Sequence, residues 1–216
     1  MESKYAPYQS KAPYYTLNSY SETTEHVWIA CHGFGQMVKY FSRRFDVLDA
    51  SKHYLLFPQG LDRFYMDNYT KVGASWTTRE ERDLHLENQQ AYLDQMWAIE
   101  SPQFDWSRTQ LHLFGFSQGV SVITRWAVKA QLPFDRMIMW AGGFPPELTA
   151  DKWAFKKPQT EFVVVLGNQD PFINAAQLDK QGTLLQSAFG EYQSIRFEGG
   201  HELNRDVIAG LDLAKA

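Results

Sequence analysis

The sequence predicts an α/β fold with a mostly parallel central sheet and helices on both faces, and three observations lead there. Nearly continuous apolar runs of strand length recur, as in His26-Val27-Trp28-Ile29-Ala30-Cys31 and Phe162-Val163-Val164-Val165-Leu166; strands covered on both faces read this way. Stretches with apolar residues at helical spacing separate these runs, the alternation expected of a parallel sheet. Several runs stop at glycines or polar residues, and parallel sheets bind ligands beyond the carboxyl ends of their strands.

The opening segment is rich in Tyr and Pro and is expected to lie extended over the surface. Residues 14–20 alternate well enough for a strand, and Ser21-Glu22-Thr23-Thr24-Glu25 is turn material before the buried run 26–31. That run ends at His32-Gly33-Phe34-Gly35-Gln36. A helix is expected over 38–49, then a central strand, His53-Tyr54-Leu55-Leu56-Phe57, closed by Pro58. The stretch 59–76 carries Phe64, Tyr65, Tyr69 and Trp76 and shows no regular period. It reads as a long irregular loop, and its aromatic content favours an ordered, pocket-lining one. Thr78 followed by Glu81 has the form of a capping box, starting a helix through Leu84, Leu86, Tyr92, Leu93, Met96 and Trp97 to Glu100.

An apolar run, Leu111-His112-Leu113-Phe114, then meets Gly115-Phe116-Ser117-Gln118-Gly119, and a helix follows over 120–131 with Val120, Ile123, Ala127 and Ala130 at helical spacing. The strand 136–141 ends at Gly142-Gly143-Phe144-Pro145-Pro146, and the strand 162–166 ends at Gly167-Asn168-Gln169-Asp170-Pro171. A helix over 175–188, a last strand over 193–197, the turn Gly199-Gly200-His201 and a final helix over 204–213 complete the order.

At 216 residues, 44% hydrophobic and 15% aromatic, the chain suits one α/β domain over 1–216, with a good core and no large cap domain. A net charge of -4 offers no basic face, so nucleic acid is not an expected partner. No apolar stretch approaches the length of a membrane span, so stable membrane insertion is not expected. The first residues lack the apolar core of a signal peptide. Cys31, the one cysteine, excludes an internal disulfide and suits a reducing, cytoplasmic setting. Nothing here fixes assembly, and a homodimer stays open.

Strand, G-x-S-x-G and helix together make a nucleophile elbow. The serine sits on a strained turn that lifts its hydroxyl clear of the backbone. Side chains two before and two after it would collide with the neighbouring strand and helix, so Gly115 and Gly119 fit there. The following helix points its amides and positive dipole end at the place where negative charge develops.

A serine hydroxyl needs a base, a group that orients the base, and amide donors for the oxyanion. Of six histidines, His201 alone lies just past a strand and after both other candidates. Asp170 follows the strongest strand by a short turn, giving the chain order Ser117, Asp170, His201 that this kind of sheet requires. Asp135 lies at the wrong end of the sheet, Asp179 is helical, and Asp206 comes after His201. His26, His53, His85 and His112 fall in strands or a helix and read as structural; His32 is better suited to shaping its turn than to titrating. Oxyanion donors are expected from the backbone N–H groups of Gln118 and Phe34. Gly33-x-Gly35 lacks the third glycine of a dinucleotide fingerprint, no Walker-type loop is present, and no spacing suits a metal. Cys31 reads as an inert core thiol.

These motifs, in this order, resemble the phospholipase/carboxylesterase family, which includes acyl-protein thioesterases and small bacterial esterases. Phe57-Pro58-Gln59-Gly60, Ser75-Trp76 and Gly142-Gly143-Phe144-Pro145 are also similar to its loop segments, so the likeness runs from Trp28 to His201. The resemblance implies an α/β-hydrolase fold, no cofactor, and a small-molecule ester or thioester as substrate. It carries over Ser117, Asp170 and His201 as the triad and Phe34 and Gln118 as oxyanion donors. Gln36 stands where the thioesterase branch commonly has an acidic residue, and the stretch between Gly60 and Trp76 departs from that branch. Both departures weigh toward a general serine carboxylesterase. Trp76, Phe144 and Phe172 are assigned to an apolar acyl pocket. An open site without a cap favours esters with short or medium acyl chains. The alternatives are an acyl-protein or small-molecule thioesterase or lysophospholipase, and a non-catalytic binding module on the same sheet.

Overall fold

Seven strands form the main sheet of the computed structural model, which describes residues 2–213. Their order is β1 (Tyr14–Leu17), β3 (His53–Pro58), β2 (His26–Cys31), β6 (Gln110–Phe116), β7 (Arg136–Trp140), β8 (Glu161–Gly167) and β9 (Gln193–Phe197). Only β1 runs antiparallel, pairing Tyr14 with Pro58 at one edge. The remaining neighbours are parallel, as the apolar runs predict.

Alternation along the strands divides the core in two. Val27, Ile29, Cys31, Leu111, Leu113 and Met137 face one layer, with side chains of α2 (Arg82–Glu100), α3 (Gln118–Ala130) and α4 (Ala175–Phe189). Trp28, Ala30, Phe114, Phe116, Ile138 and Trp140 face the other, against α1 (Val38–Phe41) and α5 (Arg205–Leu213). Because both faces are covered, each run reads as apolar throughout.

Three elements differ from the sequence-based expectation. The helix expected over 38–49 stops at Phe41 and continues only as a 3-10 turn over Ser42–Arg44. Phe45 and Leu48 beyond it are still buried, so the apolar period there serves packing without a helix. The stretch 59–76 is not irregular: β4 (Asp62–Met66) and β5 (Lys71–Ser75) pair as an antiparallel hairpin, with Phe64 opposite Gly73. Its tip, Asp67-Asn68-Tyr69, holds three consecutive residues at positive φ. Thr78 makes no capping box; α2 begins at Arg82 after Glu81, which sits at φ 49 with no side-chain cap. The capping box that does form is Asn174 with Gln177, at the start of α4.

Candidate active site

Ser117 follows the last residue of β6 and caps α3 with φ 53 and ψ -116, a conformation that side-chain-bearing residues rarely adopt. Its N–H donates to Trp140 O at 2.8 Å, which anchors the turn to the end of β7. The flanking glycines are required by close approach. A Cβ on Gly115 would lie 2.5 Å from the Val120 Cα, and one on Gly119 would run into the carbonyl of Cys31.

His201 faces this serine. In the tautomer with its proton on Nδ1, the imidazole accepts at Nε2 from Ser117 Oγ at 2.9 Å and donates from Nδ1 to Asp170 Oδ2 at 2.7 Å. The other oxygen of Asp170 accepts the Phe172 N–H at 2.9 Å. The Asp170 side chain is fully buried, whereas that of His201 keeps 20% of its surface in solvent. The loops holding the pair are laced together: Asn168 N–H donates to Phe197 O and Gln169 N–H to Gly199 O, both at 2.9 Å. Phe116 and Phe172 pack on the imidazole at 5.0 and 4.9 Å between ring centroids. The three residues predicted from strand ends in different parts of the chain therefore meet in one hydrogen-bonded line.

The turn after β2 borders the same space. Gly33 N–H donates to Gln36 Oε1 at 2.8 Å, and Gly35, at φ 75, donates its N–H to Ala74 O at 2.8 Å. Between them, the N–H of Phe34 donates to no protein group among the described residues. Gln118 N–H opens α3 and belongs to the first turn, which has no intrahelical partner. The Gln118 side chain does further work: Nε2 donates to Thr77 O at 2.8 Å and Oε1 accepts Trp76 N–H at 3.0 Å. It ties the end of the hairpin to the elbow.

His32 lies close by but is spent on structure. Its Nδ1 donates to Gly33 O at 2.8 Å, and Nε2 accepts from Gly60 N–H at 2.9 Å and from the Gln59 amide at 2.8 Å. Burial disfavours its cation and lowers its pKa to about 4. Trp76 belongs to the same scaffold. Its ring is fully buried, lies 5.1 Å from that of His32, and donates from Nε1 to His32 O at 2.9 Å. Trp76 therefore does not line the pocket. The hairpin turns it inward, an orientation that no local pattern signals.

Beyond Ser117 and His201 opens an apolar cavity of about 660 Å³, within the size range of ligand sites. Met139, Val164 and Leu166 supply its sheet side, Leu178 and Leu185 of α4 its far side, and Phe144 a wall. Phe144 N–H donates to Gln181 Oε1 at 2.7 Å, which fastens that wall to α4. Phe34 and Phe172 stand at the same cavity. The strand and helix residues were not singled out from the sequence. Alternation in β8 puts Val164 and Leu166 on one face, but only the separation of α4 from the sheet turns that face into a wall. Among the described residues, no group of three or more His, Cys, Asp or Glu side chains could hold a metal ion, and no helix is long and apolar enough to cross a membrane.

A parallel sheet with helices on both faces, a serine elbow after a central strand and an acid and histidine after later strands make this an α/β-hydrolase fold. The profile of the Phospholipase/Carboxylesterase family matches residues 14–211, and the chain belongs to that family. Membership indicates a hydrolase of the esterase type. Acyl-protein thioesterase 2 of Zea mays superposes with a TM-score of 0.69 at 13% identity, over 94% of this chain and 99% of that one. A phospholipase/carboxylesterase from Dyadobacter fermentans gives 0.66 at 18% identity, over 95% and 97%. The Bacillus cereus carboxylesterase gives 0.63 at 16%, over 94% and 92%. At these identities the likeness is one of fold. No curated protein matches the chain.

Proposed function

We propose that the protein hydrolyses carboxylic esters of short or medium acyl chains through an acyl-enzyme on Ser117. The observation that carries this is the unbroken line from Ser117 Oγ to His201 Nε2 at 2.9 Å and from Nδ1 to buried Asp170 at 2.7 Å. His201 takes the serine proton as Oγ attacks the acyl carbonyl, and Asp170 stabilises the imidazolium that forms. The tetrahedral oxyanion accepts from the N–H groups of Phe34 and Gln118. Such a donor is worth about 10²–10³ in kcat. As the intermediate collapses, the ester C–O bond breaks and the alcohol leaves with the proton from His201. Water then enters, gives a proton to His201 and attacks the acyl-enzyme; the carboxylic acid departs and Ser117 regains its proton. The cavity walled by Met139, Val164, Leu166 and Phe144 receives the acyl chain.

Ser117→Ala removes the nucleophile, and kcat for a p-nitrophenyl ester is expected to fall by about 10⁶ while the unfolding midpoint changes little. Activity retained in this variant would put the attacking group elsewhere. Thioester cleavage is the neighbouring reading, and comparing thioester with oxyester turnover at one acyl length separates the two.

A further inference from the structure

The rim of the cavity carries aromatic surface that the hydrolysis itself does not use. Phe34 contributes its amide to the oxyanion turn, yet the residue is 59% exposed. Its ring stacks on Phe64 of the hairpin, with centroids 5.2 Å apart and planes 28° from parallel. The hairpin is held in place for this. Along β4, Asp62, Phe64 and Met66 are partly buried, whereas Arg63 and Tyr65 between them are exposed. Met66 lies against Gly35, where an added Cβ would sit 3.4 Å from its sulfur, and Gly35 N–H bonds Ala74 O of β5 at 2.8 Å. The ring pair is thus a fixed extension of the turn that supplies the oxyanion donor.

Its location gives it a side. In the sheet order, β2 and β6 are neighbours, and β7 and β8 lie on the other flank of β6. The cavity is walled by residues of β7, β8 and α4 with Phe34 at its rim, and Phe64 extends that rim outside the lining, on the hairpin bonded to the turn after β2. When one substituent of a carbonyl at Ser117 fills the cavity, the Phe34–Phe64 rim is left to the other. The acyl half must stay while the first product leaves and water enters, so the walled cavity suits the acyl half and the exposed rim suits the alcohol. Aromatic rings prefer offset or edge contacts with other rings, over and above the area they cover.

Resting on the hydrolase assignment above, we propose that Phe34 and Phe64 form a leaving-group subsite that selects esters whose alcohol half carries a flat aromatic ring. The test compares 2-phenylethyl acetate with 2-cyclohexylethyl acetate on the full chain. The two share an acyl group and have closely similar alcohols, but only one offers a ring face. The phenyl ester is expected to be favoured by about fivefold in kcat/KM, the size of an aromatic pair contact. Phe64→Leu should bring that ratio to near one, and Phe64→Tyr should restore it, which a merely folded hairpin would not do. A ratio near one in the natural chain, or one that Phe64→Leu does not move, overturns the proposal. So does a Phe64-dependent preference found only in the acyl half, between ethyl phenylacetate and ethyl cyclohexylacetate. Labelling with a fluorophosphonate separates the two levels. Equal turnover with Ser117 labelled removes the subsite alone, whereas no turnover and no labelling of Ser117 removes the hydrolase assignment with it.

Discussion

His32 and His201 both follow a strand at the carboxyl edge of the sheet, and they are put to opposite uses. His32 comes directly after β2, is fully buried, and meets backbone or amide partners at both ring nitrogens. Every proton position is fixed, so the ring holds the turn and cannot exchange protons without breaking it. His201 follows β9 with one nitrogen on a buried carboxylate and the other on a hydroxyl, and a fifth of its side chain meets solvent. It can gain a proton at Nε2 without losing its anchor at Nδ1. The difference is not the side chain but what each nitrogen touches: a backbone acceptor and two amide donors on His32, a buried acid and a reactive hydroxyl on His201.

The contrast can be broken first at its catalytic end. His201→Ala is expected to lower kcat by about 10⁶ and to stop fluorophosphonate labelling of Ser117; undiminished labelling would refute its role as base. Asp170→Asn keeps the shape but favours the wrong tautomer, with a loss of about 10⁴ in kcat. At the structural end the effect is on stability. Because the folded pKa of His32 is lowered to about 4 from an ordinary 6.5, the unfolded chain binds its proton first as pH falls. Its contribution is complete above pH 6.5 and declines by about 3 kcal/mol toward pH 4. Denaturant titrations of the natural chain and of His32→Asn should therefore converge as the medium is acidified, and parallel curves would show that the ring is not held neutral. The smallest change sharpens the role of the turn itself. Gly35→Ala forces a side chain onto φ 75 and against Met66, which should cost about 1–2 kcal/mol and reduce kcat more than it raises KM.

What was legible in the sequence is the part governed by short-range rules. Strand runs, their punctuation and the chain order Ser117, Asp170, His201 follow from residues that must be adjacent to a strand end, and the fold brings those three side chains into contact. Trp76 shows where that logic stops. Its ring direction depends on the β4–β5 pairing and on Gln118, forty-two residues away, which binds its N–H. The hairpin itself was hidden because its turn uses Asp67, Asn68 and Tyr69 at positive φ in place of glycine. Thr78 was misleading for the opposite reason: a good capping pattern lost to a chain path that lets α2 begin only at Arg82.

β9 lies at the free edge of the sheet, next to β8 alone. His201 follows it, 84 residues after Ser117. Synthesis runs from the amino end and segments fold as they emerge, so the reactive alcohol is completed long before anything can deprotonate it. A nascent chain on the ribosome would carry its nucleophile in an idle state, armed only when the closing strand docks.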